Sequence, residues 1–285
     1  MQTKQIRNHS LAVRSILHPT DLSEASGLAL AHALAISLAT RSKLHLLHVS
    51  PHDTRAVAAF PAVRRILAQW GAAEWDDPPW AIASKLGIEV CNTHIKRQEP
   101  AQGILSYLQQ VSCDLMVLAT RGGDGFHHWL RGSVSEVASR RSLIPTLFIT
   151  SGARGFVDPI TGDVSIRRIL VPIDFSPAPL QSIKTVQRMT KLLIGRARYT
   201  LHLLHVGRSA PAMRVAAMDR SPFQGVILRS GNVPRTIVDA AIEFDVDLIA
   251  MPTAGRHGIL DALRGSTTER VVRHAPCPVF AIPSK

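Results

Sequence analysis

LHLLHV occupies residues 44–49 and returns unchanged at residues 201–206. Working outward from these two copies, ILHPTDLS (16–23) precedes the first and ILVPIDFS (169–176) precedes the second. Downstream, DLMVLAT (114–120) is matched by DLIAMPT (247–253), and RGS at 131–133 by RGS at 264–266. Four blocks repeated in one order mean a duplicated unit. Asp21 and Asp174 are 153 positions apart, whereas Gly132 and Gly265 are 133 apart, so the second copy is about twenty residues shorter. The loss falls between LHLLHV and the third strand. There the first copy has PHDTRAVAAFPAVRRILAQWGAAEWDDPPWAIASKLG and the second only GRSAPAMRVAAMDRSPFQ. The longer stretch predicts a helix interrupted at Pro78–Pro79; the shorter has room for one short helix at most.

Each unit reads β-α-β-(α)-β-α-β-α-β. Short apolar runs such as Val13–His18, Leu44–Val49 and Leu115–Ala119 suit strands buried on both faces. A helix is predicted from Ser23 to Thr40, with Ser23 as N-cap. Its counterpart follows Ser176, with Pro177 in the first turn, where a missing N–H is harmless. The last strands, Thr146–Thr150 and Val279–Ile282, start after Pro145 and Pro278. Such alternation predicts right-handed crossovers and a parallel sheet covered on both faces. Residues 151–165, SGARGFVDPITGDVS, carry neither period and read as a linker between a first domain, 1–150, and a shortened second, 166–285.

The totals agree with this. In 285 residues, 46% hydrophobic, 19% charged and only 5% aromatic side chains predict ordinary cores packed by aliphatic residues. Lys and Arg outnumber Asp and Glu by 15 to 11 in residues 1–150 and by 18 to 10 in 151–285, giving +12 overall. No run of five cations occurs, so a solvated basic surface is expected and nucleic acid is not an expected partner. The start, MQTKQIRNHSLAVRS, has no apolar signal region, and no stretch of about 18 uncharged apolar residues exists. With three scattered cysteines, Cys91, Cys113 and Cys277, this predicts a reducing cytoplasmic setting, no membrane and no structural disulfide.

Ligands of open parallel sheets bind outside the carboxyl ends of the strands, where the strand order reverses. Two features fall there. Pro19-Thr20-Asp21 follows the first strand, and Pro172-Ile173-Asp174 is its copy. Each Asp has two readings: an acceptor for a ribose hydroxyl or an adenine amine, or a helix cap with Ser23 or Ser176. After strand four come Ala119-Thr120-Arg121-Gly122, nine residues, then Gly132-Ser133; the copy is Pro252-Thr253-Ala254-Gly255, nine residues, then Gly265-Ser266. Glycines let amides approach a phosphate, and Gly-Ser opens a helix whose N-terminus favours an anion. Arg131 and Arg264 add positive charge. The other reading is an ordinary turn and cap.

The PTDLS/PIDFS blocks, LHLLHV, the G-x-x-G-x9-G-[ST] spacing and the tail RGSTTERVVRHAPCPVFAIP resemble the universal stress protein (UspA-type) family across both halves. The resemblance implies two Rossmann-like α/β domains (the HUP/Usp type), each a five-stranded parallel sheet of order 3-2-1-4-5 with helices on both faces. It implies pairing of the halves through their fifth strands, and it leaves a further homodimer open. It also implies ATP, or AMP or ADP, with magnesium left open as an accompanying ion. Asp21 and Val49 would hold adenosine, with Pro19 and Thr20 beside them, and Gly122, Gly132 and Ser133 the phosphates, with Arg121 in the same loop. In the second half the set is Asp174, Val206, Gly255, Gly265 and Ser266, with Pro172 and Arg256 beside them. The implied role is a stress-response sensor or regulator acting on protein partners. Ala119 and Pro252 replace the first motif glycine, Asp124 would repel phosphate, and Arg256 and His257 would attract it. These departures support an alternative, a degenerate member that binds no nucleotide and serves as an interaction scaffold.

No GxSxG, HExxH, CxxC or Walker sequence is present and no general base stands beside the loops, so catalysis is not expected, slow ATP hydrolysis aside. His45 and His48, three apart on a strand, face opposite ways and predict no metal site. Trp70, Trp75, Trp80 and Trp129 are expected to pack helices.

Overall fold

The computed structural model describes residues 13–51, 63–120, 144–150, 152–176, 179–209, 211, 223–254 and 267–284. The first half runs β1 (Ser15–Pro19), α1 (Glu24–Thr40), β2 (Lys43–Ser50), α2 (Val63–Gln69), α3 (Pro79–Leu86), β3 (Val90–Lys96), α4 (Pro100–Gln110), β4 (Leu115–Thr120) and β5 (Thr146–Thr150). The second runs β6 (Arg168–Pro172), α5 (Pro179–Ile194), β7 (Thr200–Val206), β8 (Phe223–Arg229), α6 (Val233–Glu243), β9 (Leu248–Ala254), α7 (Thr267–His274) and β10 (Val279–Ser284).

All ten strands form one sheet, in the order β3-β2-β1-β4-β5-β10-β9-β6-β7-β8. Each half is therefore parallel with order 3-2-1-4-5. The halves meet where β5 and β10 pair antiparallel, with Phe148 opposite Val279 and Leu147 opposite Phe280. Two apolar layers cover the two faces, and both cross this seam. One joins Leu30, Leu34 and Ile36 of α1 to Ile183 and Val186 of α5 and to Phe280; the other joins Leu17, Ile104 and Phe148 to Ile237, Ile249 and Val271. Strands flanked by apolar layers must be apolar on alternate residues of both sets, which is why they read as continuous hydrophobic runs.

The expected cap of α1 is present: the Ser23 hydroxyl accepts from the Ser26 amide. α1 has no charge beyond Glu24 and is buried almost throughout, as a helix apolar all round must be. α5 is amphipathic, with Ile183, Val186 and Met189 inside and Lys184, Arg188 and Lys191 outside. It begins at Pro179, and Pro177 lies outside the described residues. The first helix of the interrupted pair, α2, ends earlier than Pro78, at Gln69 before the Gly71 turn (φ 68°), and Pro79 is the first helical residue of α3. The stretch that the second half has in its place falls mostly outside the described residues.

Three expectations change. β9 runs on to Ala254, so Pro252 sits inside a strand, paired with Ile282; Ala119, inside the predicted Leu115–Ala119, pairs with Ile149, and β4 ends one residue later at Thr120. The Ile249 amide donates to the Pro278 carbonyl, so by alternation residue 252 turns its missing amide toward β6. β6 pairs with β9 only as far as Ile249, so no ladder bond is lost. Second, Trp75 and Trp80 do not pack helices; they are 64% and 73% exposed, Trp75 on the Asp- and Pro-rich turn before α3 and Trp80 in the first turn of α3. Trp70 packs on the connecting segment instead, with its Nε1 donating to the Pro159 carbonyl and its ring against Gly162; Trp129 lies outside the described residues. Third, residues 152–165 are not structureless: Val157 bridges Val164, and Phe156 and Val157 are buried. His32 of α1 holds this segment, its Nε2 accepting from the amides of Phe156 and Val157 at 3.1 and 3.3 Å.

Candidate functional site

β1 pairs with β4 only as far as Leu17 opposite Met116, after Ile16 opposite Leu115, and β6 with β9 only as far as Leu170 opposite Ile249, after Ile169 opposite Leu248. Beyond those pairs the strands part. In the second half the gap is a crevice of about 360 Å³ at the carboxyl ends of β6, β7 and β9. It is lined by the apolar Leu204, Ile237 and Met251, by Pro172, Asp174, His205, Val206 and Pro252, and by Thr267 and Thr268 of α7. Pro172, Asp174 and Val206, chosen on sequence, thus come together. Gly255, Arg256, Gly265 and Ser266 lie outside the described residues, as do Arg121, Gly122, Gly132 and Ser133.

The paired Asp residues behave differently. Asp21 Oδ1 accepts from the Ser23 amide (3.0 Å), the Ser23 hydroxyl (2.5 Å) and the Ser26 hydroxyl (2.7 Å). In the first half the capping reading therefore describes it. Leu22, between Asp21 and Ser23, sits in the left-handed region, φ 63°, and its amide donates to the Thr20 hydroxyl; Asp21 itself is exposed. Asp174 is open: its side chain is 69% exposed on the crevice, and its Oδ1 accepts from the Phe175 amide at 2.8 Å.

Pro19 and Thr20 end β1, with the Thr20 amide donating to the Leu47 carbonyl, as Ile173 does to Leu204. Val49 sits at the end of β2 with its methyls against Gly103 of α4, where a Cβ would come within 2.5 Å. Just upstream, His18 is buried in β1 where the second half has Val171. Burial pushes its pKa down to about 4, against partial opposition from its Val117 hydrogen bond and the Asp21 charge.

Sequence reasoning missed His48 and His205 as site residues. Both Nδ1 atoms bind the carbonyl just past the neighbouring strand, Thr20 at 2.8 Å and Ile173 at 3.0 Å. The signal was the second His of each LHLLHV, next to the chosen Val49 and Val206. His45 turns away to Tyr107 Oη at 2.7 Å, and His202 stacks on Phe244. Among the described residues no group of three or more His, Cys, Asp and Glu could hold a metal ion. The three thiols are free, and burial pushes that of Cys277 up to about 12. No described helix is long and apolar enough to cross a membrane.

Comparison with known proteins agrees with this geometry. A crystal structure of a universal stress protein from Archaeoglobus fulgidus superposes with a TM-score of 0.59 at 21% identity, covering 94% of this chain and 98% of that one. A universal stress protein of Methanothermobacter thermautotrophicus is 28% identical over 145 residues, 50% of this chain and 94% of that protein. One of Thermus aquaticus is 35% identical over 66 residues, 23% of this chain, and the match spans only 48% of that protein's length. The sequence pattern of the universal stress protein family matches residues 12–150 and again 216–283. With that pattern over most of its length and the duplicated 3-2-1-4-5 sheet beneath it, the chain belongs to the universal stress protein family.

Proposed function

We propose that the second half binds an adenine nucleotide, ATP or its ADP or AMP relatives, and that the chain works as a nucleotide-responsive regulator in the cytoplasm rather than as a catalyst. The observation that carries this is the crevice itself: an opening of about 360 Å³ at the reversal of strand order, lined by Asp174 and by Thr267 and Thr268 of α7. The apolar floor of Leu204, Ile237 and Met251 suits a base, and the helix N-terminus suits phosphate. Among the described residues the polar side chains lining the crevice are Asp174, His205, Ser176, Thr253, Thr267 and Thr268, and the contacts of His205 and Asp174 suit holding a ligand.

The first half supports a different role. Its Asp21 is committed to Ser23 and Ser26, which favours a scaffold that carries α1 and the seam. Occupancy of one nucleotide per chain is therefore expected. The regulatory partners would be proteins that read the crevice in its filled or empty state. Mass spectrometry of nucleotide released from denatured purified protein, with titration calorimetry against ATP, tests the reading. A stoichiometry near one supports it; no co-purified nucleotide and no heat of binding would overturn it.

A further inference from the structure

Two exposed patches of opposite charge stand in opposite halves. The first is the turn that leads from α2 into α3. Trp75 and Trp80 stand there mostly in water, beside the exposed carboxylates of Glu74 and Asp76. Among the described residues neither carboxylate takes part in an ion pair. The turn is stiff. Asp77, buried within it, accepts the Glu74 amide at 2.9 Å on one carboxylate oxygen and the Lys85 ammonium at 2.7 Å on the other. Pro78 and Pro79 restrict the chain that follows. The backbone that presents the two rings is therefore ordered in advance, which lowers the cost of covering them. Residues 207–224, the shorter copy of this stretch, contain no Trp, so the duplicated fold does not itself require the rings.

The second patch is the outer face of α5. No Asp or Glu occurs between Asp174 and Asp219, so the cations of this helix have no acid among them. At 3.6 residues per turn, Leu180, Lys184, Arg188, Lys191 and Leu192 fall within about 120° of its circumference. All five are exposed. Lys184 and Arg188 form no ion pair among the described residues. Both patches rise from the same side of the sheet: Leu67 of α2 and Ile82 of α3 belong to the same apolar layer as Ile183 and Val186 of α5.

We propose that two copies of this chain pair face to face, the turn from Glu74 to Trp80 of each covering the outer face of α5 in the other. A two-fold axis that lies along this side of the sheet, midway between the patches, makes both contacts at once. The pair then closes and does not grow into a filament. Glu74 and Asp76 meet Lys184 and Arg188, while Trp75 and Trp80 cover the leucines and offer their faces to the guanidinium. Copies with a net charge of +12 repel one another unless acids are set against cations, so charge also fixes the orientation. An anionic lipid surface or a nucleic acid would suit α5 but would repel the acidic turn on the same side. Surface ion pairs are individually weak, so the dimer is weak and salt-sensitive. The pairing does not rest on the nucleotide reading, because none of these side chains lines the crevice.

Sedimentation velocity on the full chain across the micromolar range tests it. A monomer–dimer equilibrium is expected, weakened about tenfold between low salt and about 0.5 M salt. Asp76→Lys and Arg188→Glu are each expected to weaken it about tenfold or more, because each sets like charges together at both contacts. Trp80→Ala is expected to weaken it about tenfold without moving the unfolding midpoint, since the ring is exposed. Mixing the Asp76→Lys chain with the Arg188→Glu chain is the decisive arm. In the mixed pair one contact is native and the other has its charges exchanged, so affinity is expected to return to near wild type, which misfolded chains could not give. ATP binding measured by calorimetry is expected to be the same in all variants. A chain that stays monomeric throughout, a dimer that neither charge variant weakens, or a mixture that fails to recover would overturn the proposal. A monomer that sediments with phosphatidylserine vesicles, and ceases to with Arg188→Glu, would overturn it and give α5 to a lipid surface instead.

Discussion

Asp114 and Asp247 illustrate how much one carboxylate can organise. Asp114 Oδ2 accepts from the amides of Arg14 and Ser15, and Asp247 Oδ2 from those of Arg167 and Arg168. Each closes the amino end of its half's first strand, far from the crevice. Asp247 also receives the Arg154 guanidinium at 2.8 Å, tying the connecting segment to the second half. Removing it leaves two strand amides without an acceptor. Asp247→Ala is expected to lower stability by about 2–4 kcal/mol, measured as a lower urea midpoint. Two histidines set the acid limit. Burial pushes both His18 and His32 down to about 4 from an ordinary value of 6.5. The unfolded chain takes up these protons first, so the stability they protect is complete above pH 6.5. It is lost as pH falls toward 4, by on the order of 3 kcal/mol for each ring. His18→Val, copying Val171, is expected to reduce the slope of stability against pH in that window by about one proton, measured by denaturant titrations at several pH values. The sequence showed where the paired Asp residues lie but not which was committed. That choice depends on whether two serine hydroxyls reach the carboxylate, a matter of turn geometry that residue types alone do not fix. His205 was illegible as a site residue for a similar reason. Its proton is placed by a carbonyl 32 residues away.

Among the elements, alternation and apolar runs made the strands and most helices readable, because burial on both faces writes itself directly into composition. The ends were less readable. β9 ran through Pro252 because its neighbour had already turned aside, which is a fact about β6. Trp75 and Trp80 misled for the opposite reason: aromatic rings are usually packed, but here Trp75 lies on an Asp- and Pro-rich surface turn and Trp80 is exposed in the first turn of α3. The connecting segment had no period, yet His32 gives its amides an acceptor and Phe156 meets the His32 ring edge-on at 4.5 Å. Gly155 leaves the space this needs, since a Cβ there would lie 2.5 Å from the imidazole. Gly155→Ala is expected to cost about 1–3 kcal/mol by thermal or urea unfolding, and much less in a His32→Ala background, where the clash is gone. Gly103→Ala meets Val49 in the same way and is expected to push α4 off β2 at similar cost.

At the scale of the molecule, the repeat in the sequence declared the duplication, and the seam between β5 and β10 followed from the family resemblance. What neither declared is that both apolar layers run unbroken across that seam. Two cores shared in this way make it costly for one half to open alone. Calorimetry is expected to give one transition with equal calorimetric and van't Hoff enthalpies, and Phe148→Ala at the seam to lower that single transition without splitting it. Two separated transitions would show that the shared layers do not couple the halves. The seam has one more effect. Because β5 and β10 run in opposite directions, every strand of one half points against every strand of the other. The carboxyl rims of the halves therefore look away from each other, at opposite edges of one plate. A protein that docks over the crevice cannot touch the first half's rim, and any message between the two must pass through the plate itself.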